Sequence, residues 1–168
     1  MLEKKHIELY LRSLNDELCS MSLKGEVCLY GGAVMCLVYD ARPSTKDVDA
    51  VFKPTQAIRD AVKRIALAND LNEDWLNDAV KGYVVQHPKH ILMDLPCLKV
   101  FVPEPDYLLA MKALSARVDA TDRIDVGVLI KKLGIESAEE VFVILEKYYP
   151  QNLIKPATRF FIEELFPS

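Results

Sequence analysis

A chain of 168 residues is the right size for one domain with a sizeable core. Apolar residues make up 51% of it and charged residues 27%, which excludes an intrinsically disordered chain. The net charge of −4 argues against broad, non-specific binding to nucleic acid and leaves room only for a local basic pocket.

The four cysteines, Cys19, Cys28, Cys36 and Cys97, show neither C-x-x-C spacing nor a nearby histidine partner. Structural zinc and a dense disulfide scaffold are therefore not expected, and buried free thiols in a reducing cytoplasm are. The opening MLEKKHIELYL is charged and helical in pattern, without the apolar core of a signal peptide. The longest apolar stretch, Val27 to Tyr39, is too short to span a bilayer and carries two glycines. The expected location is the cytoplasm, with no membrane partner.

Ile7, Leu11, Leu14, Leu18 and Met21 recur at helical spacing and predict a first helix from about Lys5 to Met21. Lys24-Gly25 breaks it. Glu26 to Tyr30 reads as a buried strand ending at Gly31-Gly32, and Ala33 to Tyr39 as a short helix stopped by the turn Ala41-Arg42-Pro43. Asp47 to Phe52 alternates at its start as a strand does. Gln56 to Ala68 is the next helix, with Ile58, Val62 and Ile65 on one face. Leu71 to Val85 is irregular, with one helical turn expected at Trp75-Leu76-Asn77-Asp78. Strands follow at His90 to Asp94 and Leu98 to Val102, around Leu95-Pro96.

From Pro103 the pattern is helical. Pro105 suits a first helical position, with Asp106 where the helix dipole favours an anion. A helix from about Thr121 to Leu133 ends at Gly134, Ser137 to Glu140 forms a capping box, and Pro156 starts a last helix carrying Phe160, Phe161 and Leu165. The fold class is α+β: a small mixed sheet with helices mainly on one side, then a helical C-terminal region. Residues 1–103 form the α/β core, and residues 104–168 pack on it as one compact unit.

The chemistry concentrates between residues 30 and 52. Asp47 and Asp49 are two apart on a predicted strand, so their carboxylates share a face. Two like charges there repel, and a hard divalent cation such as Mg²⁺ (or Mn²⁺) between them relieves the cost and brings phosphates with it. Glycine lets backbone amides approach a ligand closely, so Gly31 and Gly32 at a strand-to-helix turn suit a phosphate. Ser44, Thr45 and Lys46 add hydroxyl donors and a cation just before the aspartates. A tight turn followed by an exposed edge strand is the plain structural alternative for each feature taken alone.

The order apolar–Gly-Gly, short helix, Asp-x-Asp resembles the signature of the DNA polymerase β-like nucleotidyltransferase superfamily, matched here by Gly31, Gly32, Asp47 and Asp49. The resemblance implies that the two aspartates hold Mg²⁺ and the glycine turn holds a triphosphate. "STKDVDAVF", "DWLNDAVKGYV", "YLLAMKALSARVDATDRIDVGVLIKKLGI" and "TRFFIEELF" are similar to a bacterial group of uncharacterised nucleotidyltransferase-like domains. More distantly, they resemble AbiEii-type toxins of toxin–antitoxin systems.

Members of that superfamily usually carry a third carboxylate on a later strand, and Asp94, between apolar neighbours, is the candidate metal ligand. Its rival reading is turn chemistry at Asp94-Leu95-Pro96. Lys112 interrupts the apolar run after Tyr107 and reads by itself as a snorkelling lysine. The AbiEii likeness implies instead that it reaches the active centre, with Arg117, Asp122 and Asp125 in the same motif as supporting residues. Asp122 and Asp125 lie one helical turn apart, so either can pair with Lys112 or Arg117. Trp75, Asn77, Asp78, Lys81 and Gly82 suggest a loop over the pocket, although packing is the better role for the tryptophan. His87 and His90 lack a third ligand by spacing. Neither a G-x-S-x-G hydrolase motif nor a Walker pattern is present.

The expected activity is Mg²⁺-dependent transfer of a nucleoside monophosphate from an NTP to a hydroxyl of an RNA end, a protein or a small molecule. An antitoxin-like protein is the partner the resemblance implies. The alternative is an inactive module of the same fold that binds nucleotide or a partner protein.

Overall fold

The computed structural model describes residues 1–116 and 120–167. They divide into two compact units: residues 1–84 with 89–103, and residues 85–88 with the chain from Glu104 onward.

The first unit is built on a five-stranded sheet. In chain order it holds β1 (Leu2–Glu3), α1 (Lys4–Ser20), β2 (Gly25–Tyr30), α2 (Gly31–Leu37), β3 (Ser44–Thr45), β4 (Val48–Lys53), α3 (Thr55–Asn69), β5 (Leu76–Asn77), β6 (Lys89–Asp94) and β7 (Leu98–Pro103). The sheet order is β5-β4-β2-β7-β6, and β1 pairs separately with β3. The sheet is mixed: β2 runs antiparallel to β4 and parallel to β7, β5 runs parallel to β4, and β6–β7 is a hairpin.

Period-2 alternation decides which face carries the core. Val27, Leu29, Val48, Ala50, Phe52, Leu98, Val100 and Val102 are all buried. Ile7, Leu11, Leu14 and Leu18 of α1 and Ile58, Val62 and Ile65 of α3 complete that core from their apolar stripes. Gly25 shows how closely both helices approach it: a Cβ there would stand 2.9 Å from Leu18 and 3.2 Å from Ile58. Asp49 and Val51 alternate onto the opposite face.

Two local expectations need correcting. Leu76–Asn77 is a strand, not a helical turn, because the buried Trp75 donates its indole N–H to the Val62 carbonyl at 3.0 Å and draws the segment against β4. The strand carrying Asp49 is consequently interior, flanked by β2 and β5, and not an edge. The cysteines also differ from expectation. Cys19 and Cys97 are joined in a disulfide, with Cα atoms 5.5 Å apart across 78 residues, while Cys28 and Cys36 are free and buried. No spacing motif announces such a pair. It arises because the turn between β6 and β7 docks on the end of α1, where Cys97 N–H donates to Asn15 Oδ1 at 2.8 Å.

The second unit contains α4 (Pro105–Ser115), α5 (Ala120–Leu133), α6 (Ala138–Tyr148) and α7 (Pro156–Glu164). Ser137 caps α6 by accepting from the Glu140 N–H at 3.4 Å. Leu108, Leu109, Val126, Leu129, Val141, Leu145 and Ile162 form its core. Residues 85–88 belong here because Tyr107 holds them: its hydroxyl accepts from the Val85 N–H at 3.1 Å, and the His87 ring stacks on it at 4.0 Å.

Candidate functional site

Gly31 and Gly32 stand at the C-terminal end of β2, where the chain turns directly into α2. The two glycines are required for different reasons. Gly31 has φ +60, the left-handed region that side chains rarely enter, and a Cβ there would stand 3.0 Å from Asp49 Oδ2. Gly32 has an ordinary φ, but its Cβ would lie 2.7 Å from Thr45 Oγ1 and 2.8 Å from an Arg42 guanidinium nitrogen. Carboxylate, hydroxyl and guanidinium therefore crowd onto bare backbone.

The register explains the carboxylate. Tyr30, the residue before the glycines, pairs with Asp49 across β2–β4, so the aspartate lies beside the turn. Asn77 pairs with Asp49 from the other side. Asp47 is half-buried one residue before β4, and Thr45, itself buried, donates its hydroxyl to the Asp47 carbonyl at 3.2 Å. Thr45 thus shapes the bend into the aspartates rather than offering that hydrogen to a phosphate. Ser44 is half-buried in β3, and Lys46 is exposed on the bend.

Asp94 is not brought to this site. It pairs with Lys99, which pairs with Glu26, which pairs with Lys53. The result is a row of alternating charge across four strands at the opposite end of the sheet, with Lys53 and Glu26 3.3 Å apart. Asp94 lies four residues away along the strands and three strands across from Asp49, roughly 19 Å at standard sheet spacings. A cleft of 870 Å³ lined by Lys24, Glu26, Lys53, Asp94 and Lys99 opens at that end. Its size does not mark the chemistry, because its charges are arranged as neighbours of opposite sign.

Lys112 sits in the second unit, where its ammonium lies 2.8 Å from Asp125 and 3.3 Å from Asp122. Asp125 is completely buried. These three residues form an ion cluster tying α4 to α5, the pairing that their helical spacing suggests. Arg117 lies outside the described residues.

The residue that sequence reasoning passed over is Arg42. It reads as part of the turn ending α2 and stands ten positions from Gly32. The backbone path brings it back. Asp40 adopts φ +48 and the Ala41 N–H donates to the Met35 carbonyl at 2.9 Å, so the chain reverses alongside α2. The available signal was an arginine in the short loop that must return from the helix to the Asp-x-Asp strand.

Whether the residues fit Mg²⁺ is a question of donor chemistry. Among the described residues no group of three or more His, Cys, Asp or Glu is placed to hold a metal. Two carboxylates suit Mg²⁺ in its nucleotide-bound form, since that ion is commonly held by one or two carboxylates plus substrate phosphates. The donor set fits a metal arriving with a polyphosphate, and not a dedicated protein cage.

A mixed sheet that presents a strand–Gly-Gly–helix turn to an Asp-x-Asp strand defines a nucleotidyltransferase-like domain. The chain belongs to the family described as "Nucleotidyltransferase of unknown function (DUF6036)", whose model matches residues 9–154. No curated protein and no solved structure matches it. Among the described residues, no helix is long and apolar enough to cross a membrane.

Proposed function

We propose that the first unit binds a nucleoside triphosphate with Mg²⁺ at Gly31, Gly32, Asp47 and Asp49, and passes the nucleoside monophosphate to a hydroxyl acceptor. The likeness to the polymerase β-like nucleotidyltransferases supports this reading. The observation that carries the reading is the Asp49 carboxylate packed on the left-handed backbone of Gly31, which joins the two halves of the motif into one site. The glycine turn gives phosphates close access to the backbone, and Asp47 and Asp49 would hold the metal. Bound Mg²⁺ would neutralise phosphate charge, the main electrostatic demand of such a transfer. An acceptor oxygen–phosphorus bond forms, the bond to pyrophosphate breaks, and the hydroxyl proton goes to solvent.

Incubation with each labelled NTP, Mg²⁺ and cellular RNA or protein, beside the Asp47→Asn/Asp49→Asn variant, tests the reading. Label transfer by the wild type alone is expected. Neither transfer nor Mg²⁺-dependent NTP binding with any NTP would overturn it.

The remote position of Asp94 favours a second reading, nucleotide binding without transfer, since it leaves two carboxylates where related enzymes use three. Mg²⁺-dependent NTP binding without label on any acceptor would select it. For Lys112 the likeness to AbiEii proteins supports a role in the active centre, and its two aspartate neighbours support a structural one. Lys112→Met separates them by whether it removes transfer or fold. An antitoxin-like partner rests on that same likeness, and co-expression with adjacent genes tests it.

A further inference from the structure

We propose that Cys19 and Cys97 form a reversible thiol–disulfide exchange site, entered at Cys19 by a small thiol, that latches the β6–β7 turn onto the end of α1. The site lies at the far end of the sheet, beside the Asp94–Lys99 pair, and is independent of the nucleotide-binding reading.

The sulfurs differ in access. Cys19 is exposed in the last turn of α1, and Cys97 is half-buried in the turn between β6 and β7. The other two cysteines do not compete. Cys28 and Cys36 are free but buried, and burial raises the pKa of both thiols. Exchange requires a thiolate to reach a disulfide sulfur, so access selects the Cys19–Cys97 pair and, within it, Cys19. The leaving group points the same way, because the C-terminal end of a helix disfavours negative charge and makes Cys19 the poorer leaving thiolate. The incoming thiolate therefore bonds to Cys19 Sγ as the Sγ–Sγ bond breaks, and Cys97 leaves as a thiolate that takes a proton from solvent. A second small thiol then bonds to the sulfur of the first and frees Cys19, which is protonated in turn. Two small thiols have been oxidised to their disulfide, and the protein disulfide has been reduced to two thiols.

The turn is also held without the sulfur bond. The Cys97 N–H donates to Asn15 Oδ1 at 2.8 Å, and the Gly25 N–H donates to the Cys97 carbonyl at 2.9 Å. The Leu95 N–H donates to the Leu98 carbonyl at 2.9 Å and closes the turn itself. Asn15 stands one helical turn before Cys19, so the group that grips Cys97 is fixed to the same helix as its partner sulfur. None of these three bonds uses a sulfur. They hold the two residues at a Cα separation of 5.5 Å, within reach of a disulfide, whether or not the sulfurs are joined. The reduced thiols expected from the sequence and the disulfide found in the fold are two states of one site.

The experiment exposes the folded, oxidised protein to reduced glutathione as the small thiol, quenches with an alkylating reagent and maps the sulfurs by mass spectrometry. The disulfide should be lost under native conditions, with Cys28 and Cys36 unlabelled. The trapped mixed disulfide should carry glutathione on Cys19 and the alkyl group on Cys97, in roughly tenfold excess over the reverse arrangement. Oxidised glutathione should restore the bond. Asn15→Ala should slow that closing roughly fivefold, as loss of one positioning hydrogen bond predicts. A disulfide that yields only at denaturant concentrations that unfold the chain overturns the exchange site. Glutathione on Cys97 as often as on Cys19 overturns entry at Cys19, and an unchanged closing rate in folded Asn15→Ala overturns the held turn. If Asn15→Ala does not fold, the wild-type measurements decide the proposal.

Discussion

The two ends of the five-stranded sheet both carry charged residues and arrange them differently. At one end Asp94, Lys99, Glu26 and Lys53 stand side by side across four strands, and each charge has an opposite charge as its cross-strand neighbour. At the other end the cross-strand neighbours of Asp49 are Tyr30 and Asn77, which carry no charge, and its carboxylate is turned onto the backbone of Gly31. Charge that is paired within a ladder stabilises the ladder by a little. The Asp49 carboxylate instead lies against the Gly31 backbone, the arrangement on which the proposed nucleotide site rests.

If the far end is structural and the near end functional, stability and binding should separate between them. The largest effect belongs to the far end, where the Cys19–Cys97 disulfide closes a 78-residue separation. Reduction, or Cys97→Ser, should cost about 4 kcal/mol by the chain-entropy argument, read as a lower denaturant midpoint. Nucleotide affinity should not change below that midpoint, and a parallel loss of binding would break the comparison.

At the near end, Asp49→Asn should weaken Mg²⁺-dependent NTP binding by about 100-fold, or ~2.7 kcal/mol, measured by calorimetry. Gly31→Ala comes next. Holding alanine in the left-handed region costs about 1–2 kcal/mol, and the methyl group would also press on Asp49, so stability and NTP affinity should fall together. The smallest effect is expected for Asp94→Asn, below about 1 kcal/mol in stability and none on binding, as befits one member of an exposed cross-strand pair. A large loss of transfer in that variant would restore Asp94 to the site.

Much of the architecture was legible because the responsible signals are local. The α1 stripe of Ile7, Leu11, Leu14 and Leu18, the alternation around Asp49, and Pro105, Ser137 and Pro156 at helix starts each act within a turn or two of chain. The β1–β3 pairing was not legible, since two-residue strands have no period to detect. Trp75 misled for a related reason: its burial under α3, and not its own neighbours, makes Leu76–Asn77 a strand.

For the site, the sequence alone determined that two glycines stand at a strand-to-helix turn and that two aspartates stand two apart at the start of a later strand, because strand alternation and glycine's lack of a side chain are properties of the residues themselves. Tertiary structure decided everything that depends on register between distant segments. It set Asp49 against Gly31 through the Tyr30 pairing, moved Asp94 to the opposite end through the β6–β7 hairpin, joined Cys19 to Cys97 and returned Arg42 to Gly32. Each of these is a contact that no local periodicity announces, and the strand registers among them are fixed by burying one face of a sheet whose strands can then pair in only one way.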